Sequence, residues 1–355
     1  MDAVLPPTII TPNDDNNSES EMEGHARRLS AIVARDVFNT PELYPDQLRV
    51  LERLAMMKFK LSSIHPAPIL FVQPTGGGKS MVRDVHSVIS RGISLTIVPV
   101  LSLGADQRKK VIDKANQSCG RIISIHIDEI TNTVSAIDII KNILLLPDDT
   151  KKTILLFASP QAIVDKPHWK QFLKELIKRN LLRLVAVDEI QLFVHYGLSF
   201  RHQFAMLSTT LFKDLKVGKT KTKIPVLFMT ATCTVQMFEQ LQTLTGLTFQ
   251  KDKLNVFWPD SVSMQKRNIY TRVMYTNRVL QVFTSQVDPI LSVSKVKSFI
   301  FYANTRAMID RVSEKYGDWL DRSTHQSDYL KLTGTMKKKR YLTLGEIGRV
   351  KYLLT

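Results

Sequence analysis

Cysteine is nearly absent from this chain of 355 residues. Cys119 and Cys233 are the whole supply, too few for a disulfide framework or a cysteine-built zinc site. No zinc is therefore expected, and a reducing compartment fits. Long apolar runs are missing as well. None reaches the roughly 18 residues that a membrane span needs, and the first residues lack the basic-then-apolar order of a secretory leader. No membrane partner is expected. Acidic charge is in short supply except at one place. The net charge is +16, yet residues 1–26 hold Asp2, Asp14, Asp15, Glu19, Glu21 and Glu23 with no Lys or Arg. This stretch is rich in Pro, Asn, Asp and Ser, has little to bury, and reads as a disordered acidic tail. The remainder is more basic still, and a strongly basic body suits a polyanion such as nucleic acid. General surface charge is the competing explanation.

An apolar fraction of 44% is that of a globular protein, and the length allows two domains plus tails. Apolar runs alternate with helical patterns along the chain. Strands are predicted at 69–72, 95–98, 122–127, 153–157, 182–187 and 224–229. Helical spacing occupies 25–60, where Leu48, Leu51, Leu54 and Ala55 recur. Alternation of this kind predicts an α/β fold with a parallel sheet covered by helices on both faces.

The chain is organised around Ile69-Leu70-Phe71-Val72-Gln73-Pro74-Thr75-Gly76-Gly77-Gly78-Lys79-Ser80. A buried strand feeds a glycine-rich turn, and a helix is predicted from Met81. Gly76, Gly77 and Gly78 let the backbone approach a ligand and aim several N–H groups at one point. Lys79 adds a mobile positive charge. Ser80 offers a hydroxyl to Mg²⁺, and the helix N-terminus faces the same point. Thr75 to Ser80 thus read as a phosphate cradle, which points to ATP and Mg²⁺ as cofactors. A bare glycine-rich turn is the alternative. The partner such a cradle requires is the strand 182–187, which delivers Asp188-Glu189-Ile190-Gln191. Asp188 can hold Mg²⁺ through water, and Glu189 can position and deprotonate an attacking water.

The general phosphate-loop pattern has Gly where this chain has Gln73. That departure, with the motifs around it, resembles the RecQ-like branch of the superfamily 2 helicases. Phe38 and Gln47, with Pro45 between them, resemble the family's opening motif. Pro99-Val100-Leu101-Ser102-Leu103-Gly104-Ala105-Asp106-Gln107 resembles its segment after the second strand. Ala158-Ser159-Pro160-Gln161 is similar to its Thr-Pro-Glu segment. The run Leu192 to Phe204 aligns with its aromatic-rich loop, placing Tyr196 on the family's Trp and Gly197, Phe200 and Arg201 on identical residues. Thr230-Ala231-Thr232 and Ala303-Asn304-Thr305-Arg306 match further motifs.

The resemblance implies a RecA-like ATP-binding domain over 27–262 and a partial second RecA-like lobe over 263–355. It implies an ATP-dependent DNA helicase moving 3′ to 5′ on single-stranded or forked DNA. In such a protein Gln47 reads adenine. Lys79, Asp188, Glu189 and Gln191 act on the phosphates. Ser102, Tyr196, Phe200, Arg201, Asn304 and Arg306 hold the strand, and Thr230 with Thr232 couples ATP state to lobe closure. Tyr44 stands where the family has Arg, and Gln191 where it has His. Leu198 and Ser199 replace its His-Asp. The family's last motifs, among them the arginine that reaches the γ-phosphate, have no counterpart before Thr355. A nucleic-acid-binding remnant that binds ATP without unwinding is therefore the second reading. A small-molecule kinase, a third, fits the cradle but not the aromatic loop. DNA repair or recombination, in a nucleus if the source is eukaryotic and in a cytoplasm otherwise, is the implied setting. Lys337 to Arg340 read as a solvated basic patch.

Overall fold

The computed structural model describes residues 19–58, 68–99, 107–109, 111–113, 122–145, 152–197, 202–215, 224–247, 249 and 255–259, with a few short pieces beyond residue 280. Two compact units divide the chain, Met1–Lys266 and Arg267–Thr355.

The first unit is built on a seven-stranded sheet, parallel throughout. In chain order its strands are β1 (Ile69–Val72), β2 (Gly92–Ile97), β3 (Ile122–His126), β4 (Thr153–Ala158), β5 (Leu182–Val187), β6 (Val226–Thr230) and β7 (Val256–Phe257). In space they run β3-β4-β2-β5-β6-β1-β7. The strands are short and mostly apolar, and the inner ones are almost wholly buried, as a sheet covered on both faces requires, while the edge strand β3 is half-buried.

Alternation along each strand divides two cores. Ile69 and Phe71 of β1, Leu184 and Ala186 of β5, and Leu227 and Met229 of β6 face α1 (Glu19–Phe38), α2 (Pro45–Lys58) and α3 (Lys79–Ser90). Leu70, Val72, Val185, Val187, Val226 and Phe228 face the opposite layer. That layer consists of α4 (Thr133–Leu144), α5 (Pro160–Asp165), α6 (Pro167–Lys178), α7 (Ile190–Gly197), α8 (His202–Leu207), a π-helical turn Ser208–Phe212, α9 (Lys213–Leu215) and α10 (Val235–Thr245). Leu182 and Leu184 would share a face in a regular strand. They sit in different cores because the β2–β5 register shifts between Ile93 and Ser94. In α6, Trp169, Phe172, Leu173 and Leu176 recur at the spacing of one helical face and are all buried.

The six strands expected between residues 69 and 229 are present, with small changes of extent, and those expected at 269–275 and 297–302 lie outside the described residues. β2 begins at Gly92 rather than 95, and β6 ends at Thr230. Two expectations are corrected. The acidic tail does not run to residue 26, because α1 starts at Glu19. Ala26, Val33, Ala34 and Phe38 give it a buried face, and Glu19, Glu21 and Glu23 sit where a helix N-terminus favours negative charge. Nor is 25–60 one helical pattern. Asn39 takes a left-handed φ of 50°, the Thr40 N–H donates back to the Ala34 carbonyl at 2.9 Å, and Pro45 opens α2 at a position that suits proline.

Beyond residue 280 the described pieces include two short parallel strands, β8 (Tyr329–Lys331) and β9 (Lys351–Leu353). Asn304, Arg306 and the basic run 337–340 lie outside the described residues, as does most of the expected second lobe. Among the described residues no helix is long and apolar enough to cross a membrane.

Candidate nucleotide site

A parallel sheet puts every strand's carboxyl end on one edge, where open α/β sheets take ligands. Strand order then decides which loops meet. The glycine turn follows β1, the Thr-Ala-Thr segment follows β6, the acid pair follows β5, and the Pro99–Gln107 segment follows β2. Their strands stand side by side as β2-β5-β6-β1, with Val72 opposite Thr230 and Ile97 opposite Val187.

In the glycine turn, Gly76 and Gly78 have φ of 89° and 74°, conformations that side-chain-bearing residues rarely adopt. A Cβ on Gly77 would stand 3.0 Å from the Pro74 carbonyl, and one on Gly78 would overlap the Gln47 amide. The helix that follows starts at Lys79, two residues before the expected Met81. Gly78 is its N-cap, with no side chain closing the end. Thr75, Gly76 and Ser80 are exposed.

Lys79 turns its Nζ onto the carbonyls of Gln73, at 2.8 Å, and Pro74, at 3.5 Å. Burial holds its pKa below the ordinary lysine value, while the charges of Glu189 and Asp188 pull it back up. The cradle's cation and the acid pair therefore share one electrostatic site, although they are more than 100 residues apart in sequence.

Asp188 is buried. Its Oδ2 accepts from Gln107 Nε2 at 2.6 Å, and its Oδ1 accepts from the Glu189 backbone N–H at 3.0 Å. Glu189 has a left-handed φ of 51°, backbone strain of the kind that gathers at working sites. From Glu189 a polar chain runs sideways. Gln191 Nε2 donates to Glu189 Oε2 at 2.5 Å, and Gln191 Oε1 accepts from Thr230 Oγ1 at 2.5 Å. Thr230 Oγ1 in turn accepts from the Thr232 N–H at 3.1 Å. Gln191 thus bridges the acid pair to the Thr-Ala-Thr segment.

Gln47 is buried against the turn. Its Oε1 accepts from the Tyr44 N–H at 2.7 Å and its Nε2 donates to the Gly78 carbonyl at 2.9 Å. Gln73, the departure from the general loop pattern, donates to Asp46 Oδ2 at 2.7 Å and ties the turn to α2. Asp46 and Gln107 are contributors that motif reading passed over. Asp46 stands one residue from Gln47, and Gln107 closes a matched segment, so both were within reach of the sequence.

The aromatic run is not one loop. Ile190–Gly197 is helix α7. Phe193 and Phe204 pack edge-to-face in the core with ring centres 5.7 Å apart, and Phe193 also meets Phe212. Tyr196 lies on α7, whereas Phe200, Arg201 and Ser102 lie outside the described residues. Ser159 caps α5, accepting from the Ala162 N–H at 3.1 Å, and its own N–H and hydroxyl both donate to Asp128.

The residues fit a magnesium–nucleotide. A side chain at Gly78 would displace the Gln47 amide and one at Gly77 would crowd the Pro74 carbonyl, the helix end above the cradle has no side-chain cap, and the candidate metal donors, the Asp188 carboxylate and Ser80 hydroxyl, are the oxygen ligands Mg²⁺ prefers.

No family model matches the chain. It is 30% identical over 168 residues to the ATP-dependent DNA helicase hus2/rqh1 of Schizosaccharomyces pombe, a match spanning 46% of this chain and 11% of that protein. It is 24% identical over 282 residues to the ATP-dependent DNA helicase Q1 of Rattus norvegicus, covering 79% and 40%. The chain thus spans less than half the length of these relatives. Among solved structures, Saccharomyces cerevisiae Dbp5 bound to RNA and ADP BeF3 superposes with a TM-score of 0.54 at 13% identity, over 90% of this chain and 75% of that one. That likeness is one of fold, a RecA-like α/β architecture.

Proposed function

This chain is RecQ-like, a relative of the superfamily 2 DNA helicases, and from that premise we propose that it is an ATP-dependent, 3′-to-5′ DNA helicase motor. The observation that carries the reading is the convergence of Lys79, Asp188 and Glu189 on one partly buried site, joined through Gln191 to Thr230.

ATP with Mg²⁺, when bound, supplies the phosphoanhydride bond to be hydrolysed and the charge that polarises it. The N–H groups of Gly76 to Ser80 and the Lys79 ammonium bind the phosphate oxygens. Asp188 and Ser80 would hold the metal, whose charge would offset that of the phosphates. The Glu189 carboxylate orients a water and takes its proton. Gln191 keeps Glu189 in register with Thr230 and Thr232, so movement at the end of β6 reaches the base. Gln47, whose amide sits between the Tyr44 N–H and the Gly78 carbonyl, reads adenine. Tyr196, Phe200 and Arg201 grip single-stranded DNA by stacking and cation contact. Ser102, Asn304 and Arg306 contact its backbone.

Steady-state ATP hydrolysis by the full chain, with and without single-stranded DNA, tests this. Stimulation by the strand is expected, and Tyr196→Ala and Arg201→Ala are expected to abolish the stimulation. Nucleotide binding without stimulated hydrolysis would instead favour the remnant that binds but does not unwind. That reading draws support from how little of the relatives' length the chain spans.

A further inference from the structure

Behind the acid pair runs a buried polar chain that the proposed mechanism does not use. Arg83, on the second turn of α3, is 1% exposed. Its Nε and Nη2 meet Asp84 Oδ1 at 2.8 and 2.7 Å, and its Nη1 donates to Gln107 Oε1 at 2.6 Å. The guanidinium lies 4.9 Å from the centre of the Phe157 ring. Gln107 Nε2 then donates to Asp188 Oδ2 at 2.6 Å. Arginine has five donors and no acceptor, and a glutamine amide has one end of each kind. The amide oxygen must therefore face Arg83, and this turns the NH₂ group onto Asp188. A reversed amide would set donor against donor at one end and acceptor against acceptor at the other.

Asp188 gains a fixed orientation from this. The last torsion of an aspartate is broad and weakly held. Here Oδ2 is anchored by Gln107 and Oδ1 by the Glu189 N–H. Two anchors fix the carboxylate plane and leave its remaining lone pairs for a metal or the metal's water. Partners of this kind commonly contribute about 10–100-fold to metal affinity.

We propose that Gln107, oriented by Arg83, is a positioning residue that presets Asp188 for Mg²⁺. The proposal rests on the reading of the site as a magnesium–nucleotide site and names what tunes it. Asp84 and Phe157 keep Arg83 in place, and Arg83 touches neither nucleotide nor metal.

The test uses the full chain and Mn²⁺ as the probe, with free Mn²⁺ read by electron paramagnetic resonance at saturating non-hydrolysable ATP analogue. Gln107→Met keeps the bulk and removes both hydrogen bonds. Arg83→Lys keeps a buried charge beside Asp84 but gives up the fork that reaches two partners. Each is expected to weaken Mn²⁺ binding about ten-fold, and together no more than either alone, because they act in one series. Metal-free nucleotide affinity should stay at the wild-type value. Wild-type Mn²⁺ affinity in Gln107→Met, or in Arg83→Lys where the first variant melts early, would overturn the proposal. Parallel losses of metal-free and metal-dependent nucleotide binding would overturn it too, since they signify a merely structural role. Failure of the wild type to bind Mn²⁺ with nucleotide would refute the nucleotide-site reading itself, and the proposal with it.

Discussion

Lys79 carries the cost of the site's readiness. Its ammonium is partly withdrawn from water and donates to two backbone carbonyls, and burial lowers its pKa despite the nearby carboxylates of Glu189 and Asp188. The sign of the pH effect follows. At neutral pH the amine is protonated in both folded and unfolded chains, so the desolvation cost weighs on the folded one. As pH rises through the lowered pKa towards 10.5, the folded amine sheds its proton before the unfolded one does, and the cost is relieved. The melting temperature of the wild type should therefore gain on that of Lys79→Met across this range, in the absence of nucleotide. A difference that stays flat with pH would contradict the desolvated placement. Gly78 works at the same scale. Its left-handed φ and its contact with Gln47 require glycine there for two separate reasons.

At the scale of elements, the order of strands does most of the assembly. Placing β6 between β5 and β1 sets Thr230 between the acid pair and the glycine turn. The cradle, the acid pair and the Thr-Ala-Thr segment were legible in the sequence because each is a short run at a strand's end, where local pattern and function coincide. Arg83, Gln107 and Asp188 were not read as one unit. Their contacts span 24 and 81 residues of chain, and only packing of α3 beside β2 and β5 brings them together. The run 192–204 divides in a different way. Its aromatic density suggested a binding loop, which stands as a proposal for Tyr196, Phe200 and Arg201, whereas Ile190, Phe193 and Val194 fall at helical spacing and face the core. Phe193→Ala should destabilise the chain by about 3–5 kcal/mol, measured by denaturant unfolding. A loss below about 1 kcal/mol would mean that Phe193 belongs to the loop after all.

Taken as a whole molecule, the chain presents one parallel-sheet unit carrying every residue proposed to handle the nucleotide. The proposed strand contacts are divided between that unit and the residues after 266. Helix α1 belongs to this scale as well, since Phe38, Ala34 and Val33 complete the core over α2 and α3. A charge-based reading of residues 1–26 saw only the acids and missed the helix that starts among them. Every proposed activity depends on a magnesium–nucleotide seated between the glycine turn and the acid pair. Calorimetric titration of the full chain with a non-hydrolysable ATP analogue measures this directly. The account predicts saturable binding that strengthens with Mg²⁺ in the wild type, loses its Mg²⁺ dependence in Asp188→Asn, and disappears in Lys79→Met. Equal binding by all three proteins, or none by the wild type, would contradict it.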